Sequence, residues 1–143
     1  MTQRTIKFRA QKTDNKGNFK EWIYGTPEFG DMGQLYILYG TGGRQLCQRE
    51  TLGQFTGLLD KDGKEIYEGD IITDITGEIG IVKFGGEPIS NEMGNKSAFG
   101  FYLDAQKSLQ LGMIWPEKGY NSLEIVGNIY ENPKLLTNQP SHL

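Results

Sequence analysis

A single cysteine and a single histidine in 143 residues leave this chain short of the groups that build metal centres and nucleophilic sites. Structural zinc takes four ligands, whereas Cys47 and His142 together supply two. A Cys–His nucleophilic pair would need Cys47 to meet His142, one residue from the end of a polar tail. His142 therefore reads as a solvated tail residue, and Cys47 as a half-buried strand residue that cannot form an internal disulfide. The longest purely apolar run, Leu35–Tyr39, falls well short of the ~20 residues that a membrane-spanning helix needs. The opening Met1-Thr2-Gln3-Arg4-Thr5 has no charged-then-apolar signal pattern. An excess of one charge sign is missing as well: 15 basic against 18 acidic residues give a net charge of −3, with no global field to gather polyanions or anionic lipid. These absences set the expectation of a cytoplasmic protein with no cofactor and no membrane partner.

Glycine, in contrast, is plentiful. Twenty glycines are spread along the chain, and aromatic residues make up 11 %, so core material alternates with frequent turns. That pattern suits short strands and disfavours long helices. The length fits one domain, taken as residues 1–137, with 138–143 as a frayed tail; no internal repeat or composition shift divides it.

Ile6, Phe8 and Ala10 alternate with Lys7 and Arg9, the Asp14–Gly17 stretch interrupts, and aromatic and β-branched residues resume from Phe19 to Tyr24, which predicts an N-terminal hairpin. Leu35–Tyr39 reads as a strand before the Gly40–Gly43 breaker, and Leu46–Leu52 as another. Asp62-Gly63 marks a type I′ or bulged turn between two strands. Asp70–Ile75 and Ile79–Phe84 form the next hairpin around Thr76-Gly77. Gly85–Lys96, rich in glycine and polar residues, reads as a loop. Phe99–Leu103 is a strand, Asp104–Gln110 a helical turn or bend, and Trp115–Gly119 a loop. Leu123–Gly127 with Ile129-Tyr130 is the last strand, and Asn132-Pro133 opens a single helical turn. The expected architecture is mostly β: a compact β-barrel-like or SH3-like unit built from hairpins, with at most short helical turns.

Chemistry-bearing clusters are few. The acidic stretch Asp60, Asp62, Glu65, Glu68 and Asp70 fails the EF-hand pattern, because aligning Gly63 with the loop glycine places Leu58 and Gly69 at ligand positions. Glu68 and Asp70, at i and i+2 on one strand face, could form a carboxylate pair, although turn chemistry explains them more simply. Gly40-Thr41-Gly42-Gly43-Arg44 lacks the phosphate-loop lysine and a following helix, and reads as a hairpin tip. Basic and aromatic residues interleave only in the N-terminal hairpin, where Lys7, Arg9, Lys12, Phe19, Lys20, Trp22 and Tyr24 form a candidate interaction surface.

The chain resembles the YopX family of phage and prophage proteins. The resemblance is carried by Ile6–Ala10, by Trp22 with Tyr24-Gly25, by Phe55-Thr56-Gly57-Leu58 through Asp60–Ile72, by Ile79–Phe84, and by Val126–Leu136. These blocks cover about half the chain, and Thr56–Ile72 is the specific part; segments 26–54 and 85–121 show no matching pattern. The resemblance implies an intracellular, mostly β protein, plausibly oligomeric, and brings no catalytic residues. The signature consists of turn formers and apolar strand residues, as expected of a motif that specifies architecture. The reading is a non-enzymatic accessory protein that assembles with itself or binds a host or phage protein. The alternative is an SH3-like nucleic-acid-binding module using the basic and aromatic hairpin.

Overall fold

The computed structural model describes residues 5–13, 21–73, 77, 79–91, 94–105, 112–113 and 123–137. It is mostly β, with strands in two antiparallel sheets, and divides into two compact units, Met1–Gly57 and Leu58–Leu143.

The first unit contains β1 (Phe8–Gln11), β2 (Trp22–Phe29), β3 (Leu35–Tyr39), β4 (Gly43–Cys47) and the start of β5 (Gly53–Leu59), in the order β4-β3-β2-β1-β5. β1 and β2 form the expected N-terminal hairpin, and β3 occupies the expected residues. Period-2 alternation turns Ala10, Ile23, Leu35, Ile37 and Cys47 to one face, where they pack together with Leu52. β4 then meets β1 again through a bridge between Lys12 and Cys47, flanked by Thr13 N–H donating to the Leu46 carbonyl (3.0 Å) and Gln48 N–H donating to the Gln11 carbonyl (2.8 Å). The strands thus curl back on themselves around the core, although no ladder closes into a barrel among the described residues. Close approach of β3 dictates Gly25: a Cβ there would lie 1.9 Å from the Leu38 carbonyl oxygen.

The strand expected over Leu46–Leu52 stops at Cys47 and gives way to a 3₁₀ turn, Arg49–Thr51. Thr51 explains the change. Its hydroxyl donates to the Gln48 carbonyl and accepts the Gln11 amide, both at 2.8 Å, so side-chain bonds replace a ladder.

The second unit starts with the end of β5, which turns back into β6 (Glu65–Tyr67). Asp60 N–H donates to the Lys64 carbonyl and Gly63 N–H to the Asp60 carbonyl. Gly63 has φ +83°, while no described non-glycine residue has positive φ, so this is the bulged form of the turn rather than type I′. β7 (Asp70–Thr73), β8 (Ile79–Asn91), β9 (Gly94–Ala105), β10 (Gly112–Met113) and β11 (Glu124–Asn128) form a sheet in the order β10-β9-β8-β7-β11. Its core is Ile66, Ile72, Val82, Phe101 and Leu123, with Leu58, Leu103 and Ile125 packed against it.

Three expectations change here. Within the expected loop Gly85–Lys96, residues 85–91 and 94–96 are strand, part of the β8–β9 hairpin, held by an unbroken register down to Asn91 opposite Gly94. Partner-strand pairing, which composition does not report, overrides the local turn formers. Ile129-Tyr130 is a turn rather than strand, because the Asn128 side chain captures the amides of Tyr130 and Glu131. Glu68 lies in the turn before β7, so it does not share a strand face with Asp70. The helical turn after Asn132-Pro133 is present as α1 (Lys134–Thr137). Residues 106–110, Trp115–Gly119 and the tail 138–143 lie outside the described residues.

Candidate functional site

β1 and β2 bring three of the seven expected surface residues together. Arg9 stands opposite Tyr24 and Gln11 opposite Trp22, and opposed residues share a face. Arg9, Trp22 and Tyr24 thus lie on the outer face, away from Ala10 and Ile23. Tyr24 is exposed, whereas Arg9 is only 6 % exposed and holds its guanidinium 4.2 Å from the Trp22 ring centroid. The Lys7 ammonium lies 5.5 Å from the Phe55 ring centroid, and Lys12 pairs with Glu21 at 3.8 Å. Phe19 and Lys20 lie outside the described residues.

The register extends this face over residues that the sequence reading did not single out. Glu28 stands opposite Tyr36, Tyr36 opposite Leu46, and Leu38 opposite Arg44. Arg44 stacks on Tyr36, 3.7 Å from the ring centroid, and pairs with Glu28 at 3.1 Å. Such cation–π contacts contribute about 0.5–1 kcal/mol at exposed sites, and exposed ion pairs no more. The only sequence signal for this extension was that Leu35–Tyr39 is apolar at every position, so both faces of β3 carry large side chains.

The acidic stretch is arranged differently. Asp60 Oδ1 accepts the amides of Asp62 (2.8 Å) and Lys64 (2.9 Å), and Oδ2 accepts that of Ile125 (3.2 Å). Burial raises the pKa of this carboxyl, but the amides of Lys64, Ile125 and Asp62 outweigh it and hold the group below its ordinary value of 3.8. Asp70, buried at 2 % exposure, accepts the Tyr67 amide at 2.8 Å. Gly69 N–H donates to the Val82 carbonyl, and the Gly69 carbonyl accepts the Ile129 amide. Asn132 in turn accepts the Asn128 amide at 3.2 Å. These bonds join the hairpin turn, the Gly69-Asp70 corner and the Gly127–Asn132 turn, so these polar residues organise backbone. Among the described residues, no three His, Cys, Asp or Glu side chains gather where a metal ion could sit.

Cys47 is buried in the first core, and burial pushes its thiol up to about 11, against a smaller opposing effect from the Ile37 backbone. Gly40–Arg44 forms the expected hairpin tip between β3 and β4.

The sequence model of a family described as YopX protein matches residues 7–137. Among solved structures, the chain is similar to the crystal structure of protein EF1440 from Enterococcus faecalis, at 23% identity over 94% of this chain and 99% of that chain, with a TM-score of 0.47. No curated protein matches it. No described helix is long and apolar enough to cross a membrane.

Proposed function

The chain belongs to the YopX family, and from that premise we propose a non-enzymatic accessory protein of phage or prophage type, acting in the host cytoplasm by binding protein surfaces, first among them its own copies. The observation that carries this reading is the engagement of the cations on the first unit. Arg9 is buried on Trp22, Lys12 stands beside Glu21, and Arg44 stands beside Glu28. A polyanion binding there would have to displace two carboxylates of like charge, and the chain's net charge of −3 offers no compensating attraction.

Tyr24 and Leu46, in contrast, are 46% and 38% exposed on the same outer face, Tyr24 opposite Arg9 and Leu46 opposite Tyr36. Tyrosine and arginine with little uncompensated charge is the composition of protein interface centres. A patch that holds both Arg44 and Glu28 is also self-complementary, since in a two-fold contact each can face the opposite charge of the other copy. The buried Asp60 and Asp70 carboxylates, occupied by backbone amides, support a structural rather than a catalytic use of the acidic stretch.

The test is Leu46→Lys, which places a charge in the centre of the face. It is expected to weaken self-association at least about tenfold, equivalent to ~1.4 kcal/mol, while the unmodified chain shows no salt-dependent binding to single- or double-stranded DNA or RNA. Nucleic-acid binding that weakens steeply with salt, or unchanged association of the variant, would overturn this reading.

A further inference from the structure

Glycine follows an aspartate or asparagine at one point in the whole sequence, Asp62-Gly63. That dipeptide differs chemically from every other acidic position in the chain. A backbone nitrogen can attack the side-chain carboxyl of the residue before it, and a glycine presents that nitrogen with no side chain to obstruct the approach. Asp62 and Gly63 are both exposed, and a Cβ at position 63 would meet nothing within 4 Å, so neighbouring groups do not crowd the reaction.

The turn, in contrast, holds the reacting atoms apart. Its loop, Lys61–Gly63, is closed by Asp60 N–H donating to the Lys64 carbonyl at 2.7 Å, and its glycine has φ +83°. In this form a type I turn precedes the left-handed glycine, which sets the Gly63 nitrogen roughly 120° of rotation about the Asp62 Cα–C bond away from the carboxyl-bearing Cβ. The amides around that bond are also occupied. Asp62 N–H donates to Asp60 Oδ1 at 2.8 Å, Gly63 N–H to the Asp60 carbonyl at 3.0 Å, and Lys64 N–H to Asp60 Oδ1 at 2.9 Å. The same carboxylate reaches the Ile125 amide with its other oxygen at 3.2 Å, so the lock is anchored outside the hairpin.

We propose that Asp62-Gly63 is a site of backbone isomerisation, and that the Asp60 carboxylate keeps it unreacted while the protein is folded. When the turn opens, the Gly63 nitrogen bonds to Asp62 Cγ, and the amide hydrogen and the carboxyl hydroxyl leave as water, giving a five-membered succinimide. Water then adds at the Asp62 main-chain carbonyl carbon and breaks its bond to the Gly63 nitrogen. The chain now runs through the Asp62 side chain, at unchanged mass. No oxidant, reductant or second protein takes part. The product carries one more methylene in the main chain between the Asp62 amide and the amides of Gly63 and Lys64, so one carboxylate no longer holds those on both sides of it. The isomerised turn therefore stays loosened after refolding.

The unmodified chain, Asp60→Asn and Asp60→Ala test it, each incubated warm at neutral pH, folded and in denaturant. Isoaspartate is counted by methyl transfer from an isoaspartyl methyltransferase and located by peptide mapping. In denaturant it is expected to accumulate at Asp62 in all three chains at one rate, and Gly63→Ala, whose methyl hinders the attack, is expected to suppress it there. Reaction of a transiently opened segment follows its open population, so the folded unmodified chain is expected to react at least about tenfold more slowly than the denatured one. Asp60→Asn, which keeps one acceptor oxygen, is expected to lose part of that protection and Asp60→Ala most of it. If Asp60→Ala does not fold, the comparison of Asp60→Asn with the unmodified chain decides the matter. Equal rates in the folded and denatured unmodified chain, full protection in folded Asp60→Asn, or isoaspartate arising mainly at another aspartate would overturn the proposal.

Discussion

The Asp60 carboxylate accepts the amide of Ile125, a residue 65 positions further along the chain, at 3.2 Å. With its other oxygen the same side chain closes the turn between β5 and β6. One carboxylate thus joins a local turn to the last strand, immediately before that strand's irregularity between Ile125 and Gly127. Lys61 adds to the junction by donating its amide to the Leu123 carbonyl and its ammonium to Glu124.

Removing this junction is expected to destabilise the second unit. Asp60→Ala orphans three amides, and hydrogen bonds to charged groups contribute about 1.5–3 kcal/mol each in favourable cases, so a loss of ~2–4 kcal/mol is expected. Denaturant melts measure it. A change below ~0.5 kcal/mol would show that the junction is incidental.

The same carboxyl gives the protein an acid limit. Its folded pKa lies below 3.8, so the unfolded chain binds the proton more readily. The associated stability is complete above about pH 5 and is lost as the pH falls through the unfolded value towards the lowered folded one. Asp60→Asn is expected to flatten the dependence of unfolding free energy on pH in that window and to leave the slope above pH 6 unchanged.

Much of this frame was legible in sequence, because it is built from local signals. Asp62-Gly63 announced its turn, Leu35–Tyr39 its strand, and Asn132-Pro133 its helical turn. What escaped detection depends on partners distant in the chain. Nothing within Gly85–Lys96 reveals that β9 returns alongside β8, and nothing around Arg44 reveals that Tyr36 and Glu28 come to meet it. Arg9 was legible as a basic residue on a strand, but its burial against Trp22 depends on the register of β1 against β2. The acidic stretch looked like a site because carboxylates that organise turns and carboxylates that do chemistry have the same composition.

Glycine substitutions separate close approach from turn conformation. Gly25→Ala places a methyl against the Leu38 backbone oxygen, which no rotamer change relieves. A loss of at least about 3 kcal/mol is expected. Gly63→Ala meets open space and bears only the left-handed conformation, at about 1–2 kcal/mol. Equal effects at the two positions would contradict the β2–β3 packing described above.

Cys47 is expected to resist thiol reagents in the folded protein. With a pKa near 11 and a buried side chain, about one molecule in a thousand carries the thiolate at pH 8. Labelling by a disulfide reagent should therefore be slow and accelerate sharply in denaturant. Rapid labelling under native conditions would mean that the first core opens readily.

Self-association is the centre of the account, and sedimentation equilibrium of the unmodified chain tests it most directly. The expected result is a weight-average mass that rises with concentration from the 16.1 kDa of one chain towards roughly twice that value or more. A constant 16.1 kDa up to roughly 100 μM, where even weak specific interfaces are populated, would contradict it.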